Sequence, residues 1–192
     1  MPRCVNRHSH NELAIPARLR RADSGPILSR VDVRRATLDD VPWLLGELRE
    51  FAAHYPLPVS LFGSDAHATA LLETLIADQF LAIAERNGGR MGLIAGIVGP
   101  HPFNPDLLVA SELWWWVSAV HRGSRAGYAL LAAFHEWAAA SGAHLATMTL
   151  AANSAVEAAA LERFGYRETE RAFTMALTPT DLSTGGTFDN TT

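Results

Sequence analysis

Residues 111–131, SELWWWVSAVHRGSRAGYALL, constrain the fold of this chain more than any other stretch. A strand-like run with three tryptophans leads into a bend holding Gly123 and Gly127, and the bend leads directly into a leucine-rich helix. A strand, a short turn and a helix start in succession make an anion site. Backbone N–H groups point outward there, and the helix dipole favours negative charge. Arg122 and Arg125 add cations suited to phosphate oxygens, and the glycines let a ligand approach the main chain. No Gly-Lys-Ser/Thr follows, so the turn is not a nucleoside-triphosphate loop, and the three-glycine dinucleotide pattern is absent.

The elements around this turn alternate between sheet and helix. Residues 31–37 alternate as a strand. Asp39 or Asp40 caps a helix with Pro42 in its first turn and Trp43, Leu44, Leu48 and Phe51 as its apolar stripe. A loop with two prolines (54–65) precedes a second helix near 66–78. FLAIAER and RMGLIAGIVG flank Asn87-Gly88-Gly89, a hairpin signal, and a proline-broken loop (100–106) leads to the strand ELWWWV. The helix from about Ala126 to Ala140 stops at Gly142. Residues 144–150 form a strand, Ser154 to Glu157 form a capping box before a short helix ending at Gly165, and 166–177 alternate as a last strand. The expected order is β-α-α-β-β-β-α-β-α-β in an α/β (α+β) domain, with a mixed sheet of about six strands.

Charge divides the chain. All 16 basic residues are arginine, and residues 1–30 hold six of them against Glu12 and Asp23. The other 162 residues carry ten arginines against eighteen carboxylates. The acidic body argues against nucleic acid as a partner and suits a cationic one. The expected organisation is therefore a flexible basic arm (1–30), one globular domain (31–177) and a flexible polar tail (178–192). Cys4 is the only cysteine, so neither a disulfide framework nor a cysteine metal site is expected. His8 and His10 lack a third ligand. No apolar run reaches the roughly 20 residues of a membrane helix, no secretory leader opens the chain, and a cytoplasmic location is expected.

Two segments carry a resemblance to a known family. VSAVHRGSRAG is similar to the strand-end valine and Arg-x-x-Gly-x-Gly turn of the GNAT N-acetyltransferases. Asn153, followed by a helix ending in Arg163-Phe-Gly-Tyr166, resembles that family's asparagine and its helix ending in Gly-Phe or Gly-Tyr. The resemblance spans roughly residues 31–177. It implies an acetyl-CoA cofactor, or another acyl-CoA, with an amine of a small molecule or protein as acceptor. It also implies a strand 111–117 splayed from its parallel neighbour, and a domain that can pair into a homodimer. Residues Trp115, Trp116, Val117 and Ala119 would line the pantetheine arm. Arg122, Gly123, Ser124, Arg125, Ala126, Gly127 and Tyr128 would hold the pyrophosphate, and Asn153 would reach the cofactor as well. The chain departs from the pattern at Arg125, where relatives have the first glycine.

Glu112 is the candidate general base, since the resemblance implies a glutamate five residues before the strand-end valine. Strict alternation puts Glu112, Trp114 and Trp116 on one face of the strand, where the tryptophans would raise the carboxyl pKa and line an acceptor pocket. Leu161 stands where relatives carry a tyrosine acid, so water is left to protonate the thiolate. Two rival readings remain open: a non-catalytic acyl-CoA-binding or protein-interaction module, and an arginine arm that delivers the domain to RNA.

Overall fold

The computed structural model describes residues 30–177, apart from 58, 59, 155, 157 and 176. The basic arm up to residue 29, with His8 and His10, and the tail from 178 lie outside the described residues.

Strand β1 (Asp32–Arg35) leads through a single 3-10 turn (Leu38–Asp40) into α1 (Val41–His54), which has Pro42 in its first turn. Helix α2 (Asp65–Asp78) begins where Ser64 Oγ accepts the His67 N–H. Strands β2 (Phe80–Arg86) and β3 (Gly89–His101) form the expected hairpin, with Asn87 and Gly88 at φ +53° and +78°. Strand β4 (Asn104–Val117) starts earlier than expected, because β3 runs through Pro100 and the proline-broken loop contracts to a turn. Helix α3 (Ala126–Ala140) ends before Gly142 at φ +75°. Strand β5 (Leu145–Thr147) and α4 (Ala158–Glu162) complete the described elements.

The sheet order is β1-β2-β3-β4-β5, antiparallel throughout except for the parallel β4–β5 pair. The described residues thus form five strands rather than six. The described residues of the alternating segment 166–177 join no sheet, and Phe173 and Met175 are exposed. Its alternation finds little edge to pair with, since β5 is only three residues long. Ser154 Oγ accepts the Val156 N–H and α4 starts at Ala158, whereas Glu157 of the expected capping box lies outside the described residues.

Each face of the sheet carries its own core. In β2, Phe80, Ala82 and Ala84 face α3 with Leu130, Leu131 and Phe134, whereas Leu81 and Ile83 face α1 and α2 with Leu44, Leu48, Leu72 and Leu75. Gly96 of β3 lets α3 approach: a Cβ there would come within 2.5 Å of the Phe134 ring. That ring cannot yield, because it is fully buried and packed against Phe80 and Trp137.

Asp40 ties the front of the domain together. It is 1% exposed and receives both arms of Arg34 (2.7 and 2.9 Å), Arg90 Nη2 (2.8 Å) and the Thr37 N–H (2.9 Å). Arg34 also reaches Glu85 at 2.7 Å, so one network joins β1, β2, β3 and the start of α1. The Arg34 hydrogen bonds hold the Asp40 carboxyl well below the usual carboxylate range, against the opposing effect of burial. Such a depressed pKa contributes stability above the ordinary aspartate pKa and loses it as pH falls below about 4.

Asp40→Asn is expected to cost about 2–4 kcal/mol in urea unfolding at pH 7, and to lose less stability than the wild type on acidification. Gly96→Ala is expected to cost about 1–3 kcal/mol by overpacking against Phe134.

Candidate active site

Strand β4 lies between two neighbours that treat it differently. It pairs with β3 as far as Gly92–Val117, but with β5 only from Val109–Leu145 to Ser111–Thr147. Beyond Ser111 no β5 residue pairs with it, so the edge of residues 112–117 parts from its parallel neighbour. Glu112 is the first residue past the parting. Its Oε2 accepts the Thr149 N–H at 3.2 Å from the strand that has moved away. Burial without a cationic partner pushes the Glu112 carboxyl up to about 7, against the lowering effect of the Thr149 hydrogen bond.

A bulge decides which way Glu112 faces. Ala95 opposes Trp114 and Gly96 opposes Glu112, so Leu113 is an extra residue on β4. Leu113, Trp114 and Trp116 pack on the α1–α2 side, and Ala110, Trp115 and Val117 on the α3 side. Glu112 stands opposite Gly96, which faces Phe134 of α3. The expectation from strict alternation, that Glu112 shares a face with Trp114 and Trp116, is therefore wrong. The bulge shifts the phase between them.

The α3 face beside Glu112 holds two further titratable groups. Tyr166 and His135 Nε2 meet at 2.7 Å, burial raises the Tyr166 hydroxyl with the charge of Glu112 adding to it, and burial lowers His135. Leu161 is buried in the same core.

Past Val117 the main chain turns through residues 119–121 to Gly123 at φ +76°, and α3 begins at Ala126, whose N–H is accepted by Ser124 Oγ at 3.2 Å. Trp115 Nε1 donates to the Gly127 carbonyl at 3.1 Å and so fixes the strand to the first turn of α3. A Cβ on Gly127 would meet only ordinary contacts with the Trp115 ring, from 3.5 Å outward. Arg122 Nε approaches the Val117 carbonyl at 3.4 Å, and its guanidinium lies 4.7 Å from the Trp116 ring centre. Arg125 lines an open cleft of about 670 Å3 with Gly123, Ser124 and Tyr128, and Tyr128 stacks on Phe164. Ala119 sits in the turn that joins β4 to this cleft.

Trp116 and Asn153 both bond to α1. Trp116 Nε1 donates to Glu47 Oε2 at 2.7 Å, Ser118 Oγ donates to the same oxygen at 2.9 Å, and Phe51 and His54 flank the indole. Asn153 Nδ2 donates to the His54 carbonyl at 2.7 Å, joining the end of α1 to the segment after β5. A smaller hollow of about 160 Å3 between α1 and α2 is lined by Phe51, Phe62, Leu71 and Trp114 among others. Glu47, His135, Arg30 and Arg86 escaped sequence reading. They lie on separate stretches of the chain, and none has a motif around it. Among the described residues no group of three metal-ligating side chains occurs, and no helix is long and apolar enough to cross a membrane.

Comparison with known proteins bears on the family and the fold. The family model described as acetyltransferase (GNAT) family matches residues 47–166. No curated protein matches the sequence. Among solved structures, a predicted acetyltransferase from Clostridium acetobutylicum, determined with acetyl-CoA, is 15% identical with a TM-score of 0.62, and the match covers 77% of this chain and 97% of that one. A ribosomal-protein-alanine N-acetyltransferase from Brucella melitensis is 16% identical with a TM-score of 0.63, covering 78% and 99%. A transcriptional regulator from Bacillus halodurans is 17% identical with a TM-score of 0.63, covering 77% and 99%. At these identities the structural likeness speaks for the fold.

Removing the Glu112 charge has a consequence for stability with a definite sign. A carboxyl whose folded pKa is raised binds its proton more tightly in the native state, so stability declines as pH rises from about 4.5 to about 7. Glu112→Gln is therefore expected to be more stable than the wild type at pH 8, by about 1–2 kcal/mol given the partial exposure of the group. The difference should vanish near pH 4 in a series of thermal melts.

Proposed function

Because the chain belongs to the acetyltransferase (GNAT) family, we propose that it transfers an acetyl group from acetyl-CoA to a primary amine by direct attack, with Glu112 as general base. The observation that carries this reading is the position of Glu112 at the mouth of the parted strands, with its carboxyl raised to about 7. Acetyl-CoA supplies an activated acyl carbon and a thiol leaving group.

An amine attacks only when neutral. For an amine of pKa about 10.4, losing the proton at pH 7 costs roughly 4–5 kcal/mol. A base of pKa near 7 is ionised in about half the molecules at that pH and accepts the proton as the bond to the acyl carbon forms. Glu112 has no cationic partner among the described residues, so nothing holds it permanently ionised. As the new C–N bond forms, the C–S bond breaks. The thiolate, of pKa about 8.5, departs at a cost near 2 kcal/mol at pH 7 and takes its proton from water. No side-chain acid is required at Leu161, which belongs to the core.

Three features fit an acyl-CoA. The backbone edge of residues 112–117 lacks a strand partner on the β5 side and can take up the amide groups of a pantetheine arm. The turn from Gly123 to Gly127 presents backbone and a helix start without obstruction from the glycines. Arg125 lines the cleft beside this turn, as expected for a cation directed at phosphate oxygens.

A cofactor-binding module without catalysis is the second reading, favoured by Leu161 in place of an acid. The two separate by calorimetry with acetyl-CoA followed by thiol release with a panel of amines. The expected outcome is micromolar binding and turnover whose kcat/KM rises through an apparent pKa near 7. Glu112→Gln is expected to bind acetyl-CoA normally, lose that inflection and fall about 100-fold or more in kcat. Binding without thiol release from any amine would leave the module reading standing instead.

A further inference from the structure

The cleft beside the turn has a second wall that the proposed reaction leaves unused. One side is formed by residues of the 123–129 segment, and the other by Arg30 and Val31, just before β1, and Arg86 at the end of β2. At about 670 Å3 it exceeds the space a diphosphate needs and falls in the range of sites for whole small ligands. Three of its lining residues are arginines, and none is acidic.

Arg86 is the most informative of the three. Its Nε is buried and has no hydrogen-bond partner, a costly state for a cationic donor without a ligand. Its neighbour Glu85 is taken by Arg34 at 2.7 Å, so the nearest carboxylate in sequence does not serve it. Neither Arg86 nor Arg125 makes an ion pair among the described residues, and Arg30 keeps only an exposed contact with Asp32 at 3.5 Å. The Arg86 side chain lines the cleft without an anionic partner among the described residues, and a planar guanidinium fork suits a phosphate monoester in shape and charge.

We propose that Arg86, with Arg30 beside it, binds the 3′-phosphate of the acyl-CoA, and that the protein thereby distinguishes coenzyme A from its dephospho form. The inference rests on the acyl-CoA reading above. Coenzyme A carries a diphosphate and, across a ribose, a separate monophosphate. The two facing walls, one of turn backbone with Arg125 and one of Arg86 with Arg30, offer a place for each.

The test is calorimetric titration of the full chain with coenzyme A and with dephospho-coenzyme A, for the wild type, Arg86→Gln and Arg86→Lys. The wild type is expected to bind coenzyme A at least 10-fold more tightly than the dephospho form. Arg86→Gln is expected to lose about 10-fold for coenzyme A alone, so that the two affinities converge, and Arg86→Lys to keep part of the preference. Equal wild-type affinities, or an equal loss for both ligands in Arg86→Gln, would overturn the proposal. Wild-type binding of neither ligand would remove the acyl-CoA reading and this inference with it. If Arg86→Gln melts before it can be titrated, the wild-type ratio and Arg30→Gln decide the question.

Discussion

The parting of β4 from β5 after only three paired residues is the constraint on which the rest of the site depends. A parallel neighbour that continued past Thr147 would consume the backbone edge of residues 112–117 in ladder hydrogen bonds. It would also bury Glu112 between two strands. Because the strands diverge, that edge is left open, the Thr149 N–H reaches back to the Glu112 carboxylate, and β4 runs free into the turn. On its other side β4 is held firmly, paired with β3 up to Val117 and tied to α3 through Trp115 and Gly127.

Two carboxylates show how surroundings, rather than burial alone, set protonation. Asp40 is almost completely enclosed, yet Arg34 and Arg90 hold it ionised far below its ordinary range. Glu112 is less enclosed but has one backbone N–H and no cation, and it rises to about 7. The first arrangement fixes structure: a permanently charged group joins three strands and a helix. The second leaves a group free to change charge near neutral pH, which is what proton transfer at the proposed site requires.

Much of this was legible in local sequence. The Asn87-Gly88 hairpin, the stop at Gly142 and the strand-turn-helix at 111–131 each rest on a backbone preference that neighbouring residues settle among themselves. The strand expected over 166–177 failed for the opposite reason. Alternation states that a segment can form a strand, but the edge it needs belongs to β5, which is too short to offer one. The face of Glu112 was misread because the bulge at Leu113 arises from the register between β3 and β4, where Gly96 admits the Phe134 ring.

The sequence by itself determined the order of helices and strands as far as α3 and the glycine turn before that helix, while Glu112 was singled out by the family resemblance. These follow from periodicity, turn chemistry and a motif contained in about twenty consecutive residues. Only the tertiary structure decided which way Glu112 points, how far its proton affinity moves and which arginines face the turn. Arg30 and Arg86 stand far from Arg125 in the chain and share a cleft with it only because β1, β2 and α3 pack together. Charge and burial act through space, so their effects become readable once distant segments have been brought into contact.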